Sequence, residues 1–223
     1  MMSLINHQIV KRGAILVLLG LAAICCATSG AIAQKAGKHS TATDPLLASA
    51  ESFINSIRTL KASFVQAATN GVFAKGTIYI ERPGNLRIEY EKPATLQVYA
   101  DGIWLIYVDE ELKEVSQLPL SATPASFLVR DNFRFSDGLT VLKIEKRNRT
   151  LRIKLARKGE EDSGTLTLIL SEQANAFRGW TVTDTQGVRT TVSLLSPIIN
   201  QPISKKVFVF TPPDWSSPSD AQE

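Results

Sequence analysis

The sequence has very little cysteine and histidine. The 223 residues include only two cysteines and two histidines. Cys25 and Cys26 lie in an apolar N-terminal segment, His7 lies near its start, and His39 lies in the polar stretch that follows. We therefore expect a folded domain without disulfides, without thiolate or imidazole metal sites, and without Ser-His-Asp or Cys-His catalysis.

Sequence motifs for phosphate binding and for hydrolysis are also absent. There is no Gly-rich phosphate loop and no G-x-S-x-G elbow. Acidic residues cluster at 109–111 and 160–162, but both clusters fall in turns between predicted strands, where solvated charges are common. Two carboxylates could serve a glycosidase, yet no apolar position is placed to raise the pKa of either one. We expect a protein without catalysis, metal or cofactor; an enzyme acting on lipids or glycans is the disfavoured alternative.

The N-terminus has the three parts of a secretory signal peptide. Lys11 and Arg12 precede an apolar run at residues 14–23, and Ala31-Ile32-Ala33 offers small residues for cleavage. The apolar run is too short to span a bilayer. Residues 1–33 are therefore predicted to be removed on export, leaving a soluble product.

Cys25 raises the alternative of a lipoprotein signal peptide. In that class small residues stand directly before the cysteine that becomes acylated. Here Ile24 precedes Cys25, and Cys25 precedes Cys26, so neither cysteine has a small residue in that place. The pattern favours a cleaved product without a lipid anchor.

The rest of the chain is predicted to be one domain with short flexible ends. Residues 34–43 are small and polar and indicate a flexible linker, residues 44–215 form the domain, and residues 216–223 form a disordered tail. Loss of Lys11 and Arg12 with the leader lowers the formal net charge from +4 to +2. A nearly neutral protein has no electrostatic footprint for nucleic acid.

An amphipathic helix is predicted at the start of the domain. Asp44 is a suitable cap and Pro45 suits the first turn. Two interpretations stay open: the helix packs on the core, or it covers the open end of a sheet. The apolar stripe consists of Leu46, Leu47, Ala50, Phe53, Ile54 and Ile57.

About a dozen short runs with strand character follow, the last at residues 207–210. Turn signals separate them without a helix between each pair, which predicts an antiparallel meander. One interruption, residues 123–129, is predicted to be a short helix with Thr123 as cap and Pro124 in its first turn. A sheet of this size tends to curl or to close into a barrel.

The predicted inward face of this sheet is nearly all aliphatic. It is either a packed core or the wall of a cavity for an apolar ligand, and the pattern does not separate the two. The inward candidates are Ile78, Ile80, Leu86, Ile88, Tyr90, Leu96, Val98, Leu151, Ile153, Leu155, Leu166, Leu168 and Leu170.

A predicted hairpin at residues 76–90 carries a charged residue at the end of an apolar face. Ile78, Ile80 and Arg82 share one side of its first strand, and a Pro-Gly-Asn turn follows. The simple interpretation of Arg82 is a rim residue with its stem on apolar surface and its head in water.

Several ordered elements together resemble the LolA family of periplasmic outer-membrane lipoprotein carriers. They are Ala62-Ser63-Phe64-Val65-Gln66, the hairpin with Glu81-Arg82-Pro83-Gly84, Val98-Tyr99-Ala100-Asp101-Gly102, Asp184-Thr185-Gln186-Gly187 and the closing Phe208-Val209-Phe210-Thr211-Pro212-Pro213. The resemblance implies a mainly β fold with lid helices: an unclosed antiparallel β-barrel that encloses a hydrophobic cavity.

The resemblance also implies a carrier rather than a catalyst. Such a carrier takes acylated lipoproteins from an inner-membrane ABC lipoprotein-release complex and delivers them to an outer-membrane lipoprotein acceptor. It would be a periplasmic monomer without a cofactor. The alternative is a LolA-like periplasmic sensor, or a lipid-binding module without a transfer role.

The resemblance assigns roles to particular residues. Arg82 matches the arginine that bonds the lid helices and holds the empty cavity shut. Leu86 stands where the family has an aromatic residue involved in cargo hand-over. The implied cavity is lined by Ile78, Ile80, Leu86, Ile88, Tyr90, Val98, Ile153, Leu166 and Leu168, and the implied lid helix contributes Leu46, Leu47, Phe53, Ile54 and Ile57.

Overall fold

The domain is built on one antiparallel sheet. A computed structural model of the chain describes residues 44–171 and 176–215, so the predicted signal peptide, linker and tail lie outside the described residues. The described part contains eleven strands in a single sheet. They are β1 (Thr59–Ala68), β2 (Phe73–Glu81), β3 (Asn85–Tyr90), β4 (Leu96–Asp101), β5 (Trp104–Asp109), β6 (Glu114–Pro119), β7 (Leu139–Arg147), β8 (Thr150–Arg157), β9 (Thr165–Ser171), β10 (Ala176–Thr183) and β11 (Arg189–Ile199).

The strand order is that of a barrel that does not close. It runs β6-β5-β4-β3-β2-β1-β11-β10-β9-β8-β7, so two meanders join where β1 pairs with β11. Strands β6 and β7 each have a neighbour on one side only and form the two edges. The prediction of an unclosed antiparallel barrel is confirmed.

The first helix, α1 (Pro45–Ser56), begins as predicted. The Asp44 side chain accepts a hydrogen bond from the Leu46 backbone N–H at 2.9 Å, and Pro45 occupies the first turn. The helix ends one residue before the predicted stripe does. Ile57 has extended backbone and its N–H donates back to the Ile54 carbonyl, but its side chain is still buried.

The second helix, α2 (Ala125–Val129), lacks the predicted cap. Thr123 lies before it, but Pro124 occupies the N-cap position and no side chain caps the helix; the Thr123 hydroxyl donates to the Leu120 carbonyl at 2.8 Å. That carbonyl belongs to a 3-10 turn, Leu120–Ala122, directly upstream. The prediction of a helix here is confirmed, whereas the assignment of Thr123 as its cap is wrong.

The predicted strand at residues 207–210 is also wrong. A 3-10 turn, Lys205–Phe208, occupies its first half, and the chain then crosses the outer face of β3 and β4. Both strands already have neighbours on each side, so no free edge is available for another strand. Instead Phe210 packs on Tyr99 with ring centroids 5.5 Å apart, and the Val207 carbonyl accepts a hydrogen bond from Arg87.

The concave face of the sheet holds the main core. All the aliphatic residues predicted to point inward are buried there, and Tyr90 packs against them partly buried. Alternating side chains explain this result, since one face of each strand is covered while the other meets water. The inner face is thus the place where any apolar site of this protein lies.

Tyr107 adds a polar atom to this core. Its side chain is buried, and its hydroxyl has no hydrogen-bond partner among the described residues; burial also raises the pKa of this phenol well above its usual value. We expect Tyr107→Phe to raise the free energy of unfolding by about 1 kcal/mol, because it removes an unsatisfied buried hydroxyl. Urea denaturation measures the change.

Tyr90→Phe is the matched control for this prediction. The Tyr90 hydroxyl donates to Gln66 Oε1 at 3.0 Å, so its removal should lower the free energy of unfolding by a similar amount. A loss of stability in Tyr107→Phe equal to that in Tyr90→Phe would contradict the prediction.

Candidate ligand-binding cleft

An apolar cleft lies between the inner face of the sheet and α2. Strands β1, β2, β3, β9, β10 and β11 form its walls, and α2 with the proline before it forms its cover. The lining residues are Phe64, Gln66, Ile78, Leu86, Ile88, Tyr90, Pro124, Ala125, Leu128, Leu166, Trp180, Val182, Thr190 and Val192.

The cleft is nearly closed in this structure. The space that a water molecule can occupy within it is about 40 Å³, which is room for only a few waters. A long acyl chain does not fit into that volume. Any large apolar ligand therefore requires the cleft to widen.

Arg82 lies in the turn between β2 and β3, and its side chain hydrogen-bonds to both helices. Its Nε donates to the Leu128 carbonyl at 2.8 Å, and its Nη1 donates to the Ile54 carbonyl at 2.6 Å. Ile54 lies in the last turn of α1 and Leu128 in the last turn of α2. We call these two hydrogen bonds the Arg82 bridge.

The Arg82 bridge suits the electrostatics of helix ends. The last carbonyls of a helix lack intrahelical donors and carry partial negative charge, so a cation there is favourable. Burial, with the nearby charge of Arg58, lowers the pKa of Arg82 to about 10, and the guanidinium is still charged at neutral pH. The backbone reinforces the contact, since the Gly84 N–H donates to the Val129 carbonyl at 2.9 Å.

The family model described as "Outer membrane lipoprotein carrier protein LolA" matches residues 55–211 of this chain. The chain belongs to the LolA family. The match includes every strand of the sheet, Arg82 and α2 with the Leu128 acceptor, and it leaves out most of α1 with the Ile54 acceptor.

Several proteins named outer-membrane lipoprotein carrier protein are similar in sequence to this chain. An outer-membrane lipoprotein carrier protein of Methylococcus capsulatus is 27% identical over 172 residues, which are 73% of this chain and 82% of that protein. One from Chromobacterium violaceum is 34% identical over 112 residues, 47% of this chain and 53% of its own. A solved LolA superfamily structure from Nitrosomonas europaea has 12% identity and a TM-score of 0.43, covering 74% of this chain and 97% of that chain.

The cavity residues that the LolA resemblance implies fall into two groups in the structure. Five of them line the cleft, and Leu86, which replaces the family aromatic, is fully buried there. The other four, Ile80, Val98, Ile153 and Leu168, are buried in the adjoining core and do not line this cleft. The five that line it are Ile78, Leu86, Ile88, Tyr90 and Leu166.

The residues implied for the LolA lid helix pack on the core and do not line the cleft. Leu47, Ile54 and Ile57 are buried in that core, while Leu46 and Phe53 are partly buried against it. The interpretation of α1 as a helix packed on the core is therefore correct, and its role as a movable lid stays a prediction.

Other contacts of α1 were not predicted from the sequence. The Asn55 side chain makes two hydrogen bonds with the backbone of Phe133, at 2.8 and 2.9 Å, and Glu51 accepts from the Phe135 N–H at 2.6 Å. The two phenylalanine rings meet edge to face. No sequence signal marks these pairs, because each joins residues about eighty positions apart.

Neither a metal-binding cluster nor a membrane-spanning helix is found among the described residues. Within residues 44–171 and 176–215, no three His, Cys, Asp or Glu side chains are grouped to hold a metal ion. No helix in the same ranges is both long and apolar enough to cross a membrane.

Proposed function

We propose that this protein is a periplasmic carrier of acylated lipoproteins. It would receive them from the inner-membrane ABC lipoprotein-release complex and pass them, as a monomer, to a lipoprotein acceptor at the outer membrane. The observation that supports this proposal best is the apolar cleft whose helical cover is joined to the sheet by the Arg82 bridge. Its relatives named as lipoprotein carriers support the same role.

The physics of acyl chains explains why a carrier is needed. Each buried methylene contributes about 0.8 kcal/mol, and two acyl chains already anchor a protein stably in a bilayer. A lipoprotein therefore crosses an aqueous compartment only if another apolar surface replaces the membrane. Binding and release are sufficient for this task, so the proposed function requires no catalytic group.

The closed state in this structure accounts for release in the proposed cycle. In this structure the cover packs onto the sheet, and the charged hydrogen bonds of Arg82 stabilise that arrangement. Acyl chains would displace the cover and break the bridge. Restoring it would then favour departure of the cargo, provided that an acceptor takes the chains.

The test uses the chain without residues 1–33 and a purified diacylated lipoprotein in detergent. Native mass spectrometry should detect a one-to-one complex after detergent removal, and outer-membrane vesicles that contain the acceptor should then take up the lipoprotein. The control is the same lipoprotein with its acylated cysteine replaced by serine, which should not bind. Absence of any complex would refute the proposal, whereas binding without transfer would favour the sensor or lipid-binding module.

A further inference from the structure

One end of the otherwise apolar cleft carries polar side chains. Gln66, Tyr90 and Thr190 line it together, and Gln66 and Thr190 are only 3% and 2% exposed. The Tyr90 hydroxyl donates to Gln66 Oε1 at 3.0 Å. Polar groups buried this deeply are normally all hydrogen-bonded, so each one that is not calls for a physical explanation.

Two of these groups have unused hydrogen-bonding capacity. The Thr190 hydroxyl is buried and has no partner among the described residues. The bond with Tyr90 involves only the oxygen of the Gln66 amide, and its two N–H donors make no hydrogen bond in the same ranges. An unpaired hydroxyl in an apolar site destabilises a protein, and a ligand that pairs with it removes that cost.

The sheet register places these donors close together. Thr190 pairs with Ala68 across the β1–β11 ladder, while Gln66 pairs with Val192. Gln66 and Thr190 are therefore diagonal neighbours on the inner face, at a spacing that long side chains bridge. Their donors thus converge on one region of the cleft.

This polar end is remote from Arg82. Gln66 pairs with Ala74, which lies eight residues before Arg82 along β2 and its turn. At about 3.3 Å per residue the separation is about 26 Å. The lining between the two ends is hydrocarbon, contributed by Phe64, Ile78, Leu86 and Ile88.

We propose that the polar end binds the carbonyl oxygen of an acyl ester or acyl amide, with the hydrocarbon chain directed toward Arg82. A carbonyl oxygen has two lone pairs and no donor, so it accepts from the Thr190 hydroxyl and the Gln66 amide together. The rest of the chain then meets only apolar side chains. This assignment rests on the proposed function, since it specifies which part of an acylated ligand the cleft recognises.

The proposed orientation places the end of the acyl chain against the cover of the cleft. A chain that starts at Thr190 and extends along Ile88 and Leu86 reaches Leu128, which belongs to α2 and whose carbonyl accepts from Arg82. The acyl tail, rather than its polar linkage, would therefore press against the cover. Longer chains should displace the Arg82 bridge more completely than short ones.

A competition between two lipids tests the carbonyl site. The mature chain is incubated with equimolar 1,2-dipalmitoylglycerol and 1,2-di-O-hexadecylglycerol in detergent, and native mass spectrometry measures the ratio of bound ester to bound ether. The two lipids have similar chains, but only the ester presents carbonyl oxygens. We expect the wild-type protein to prefer the ester, and Thr190→Val to lower that preference about three- to tenfold, as loss of one hydrogen bond predicts.

Two variants control for changes unrelated to the site. Thr191→Val makes the same substitution on the adjacent residue, whose hydroxyl lies 2.9 Å from that of Thr181, and it should leave the ester preference unchanged. Thr190→Ser keeps the hydroxyl and should retain most of the preference. Thermal melting of each variant verifies that it is folded.

Every outcome bears on the carbonyl site. Equal binding of ester and ether by the wild-type protein would overturn it while leaving acyl binding intact, and the Thr190 hydroxyl would then bind only an ordered water. An unchanged ester preference in folded Thr190→Val would overturn it as well. Failure to bind either lipid would overturn both this assignment and the proposed function.

Discussion

Arg82→Leu is expected to bind acylated lipoprotein at least as well as the unchanged protein and to transfer it at least about tenfold more slowly. Leucine keeps the apolar stem of the side chain but removes both donors of the Arg82 bridge. The Ile54 and Leu128 carbonyls then lose their charged partner in the closed state. The open, cargo-bound state never makes these bonds in the proposed cycle, so it is unaffected.

The expected slowing of transfer by Arg82→Leu is estimated from the hydrogen bonds that the closed state loses. A hydrogen bond to a charged group contributes about 1.5–3 kcal/mol, and water can replace part of it at these partly exposed helix ends. A net loss of about 1.5 kcal/mol already shifts the balance between empty and loaded carrier more than tenfold. Cargo should therefore co-purify with Arg82→Leu in larger amounts and leave it more slowly.

The measurement is transfer of a labelled diacylated lipoprotein from the carrier to outer-membrane vesicles. Arg58→Leu is the matched control, because Arg58 is a neighbouring, largely exposed arginine whose guanidinium pairs with Asp131 at 2.8 Å, whereas the bridge carbonyls accept from Arg82. Arg82→Lys retains the charge but cannot form both hydrogen bonds in the same geometry. Its transfer rate should lie between those of Arg82→Leu and Arg58→Leu. Normal transfer by Arg82→Leu would exclude the bridge from the release step.

Gly76→Ala is expected to have the largest effect on stability, lowering the free energy of unfolding by about 3 kcal/mol or more. Gly76 lies in β2 beside the cleft, and a Cβ there would overlap the Glu89 carbonyl oxygen of β3 and approach the Phe64 ring to 2.8 Å. The Phe64 ring crosses this glycine to meet Tyr90 edge to face, with centroids 5.3 Å apart. A methyl group would therefore disturb both the strand pairing and the cleft wall.

Thermal melting measures this prediction, and we expect a fall of about 10 °C. Gly71→Ala is the control, since its added Cβ meets no atom within 4 Å and only its positive φ of 88° opposes the change. That strain alone should cost about 1–2 kcal/mol. Equal falls in melting temperature for Gly76→Ala and Gly71→Ala would mean that the close packing at Gly76 contributes nothing to stability.

The sequence predicted most of the sheet because alternation is a local signal. Eleven of the predicted runs are strands, and their inward residues are buried as expected. Residues 207–210 have the same local texture but form no strand, because they reach the sheet where its strands are already paired on both sides. The strand prediction for residues 207–210 fails because no free strand edge is available where they meet the sheet. A local sequence pattern carries no information about free edges.

The cleft could be predicted only in part. Ile78, Leu86 and Ile88 belong to one hairpin, whose alternation already placed them on a common inner face. Trp180 and Thr190 come from strands more than ninety residues away and join the lining only because β11 pairs with β1. No sequence pattern marks Trp180 or Thr190 as a residue of the cleft lining.

By itself the sequence determined the alternation of the strands, the Asp44 cap of α1 and the scarcity of cysteine and histidine, because each depends on residue type and short spacing. Only the tertiary structure decided which side chains share the cleft and what Arg82 touches. Its two acceptors are backbone carbonyls, which every residue possesses and no sequence motif distinguishes. They become specific partners only when the ends of α1 and α2 are brought to the same arginine.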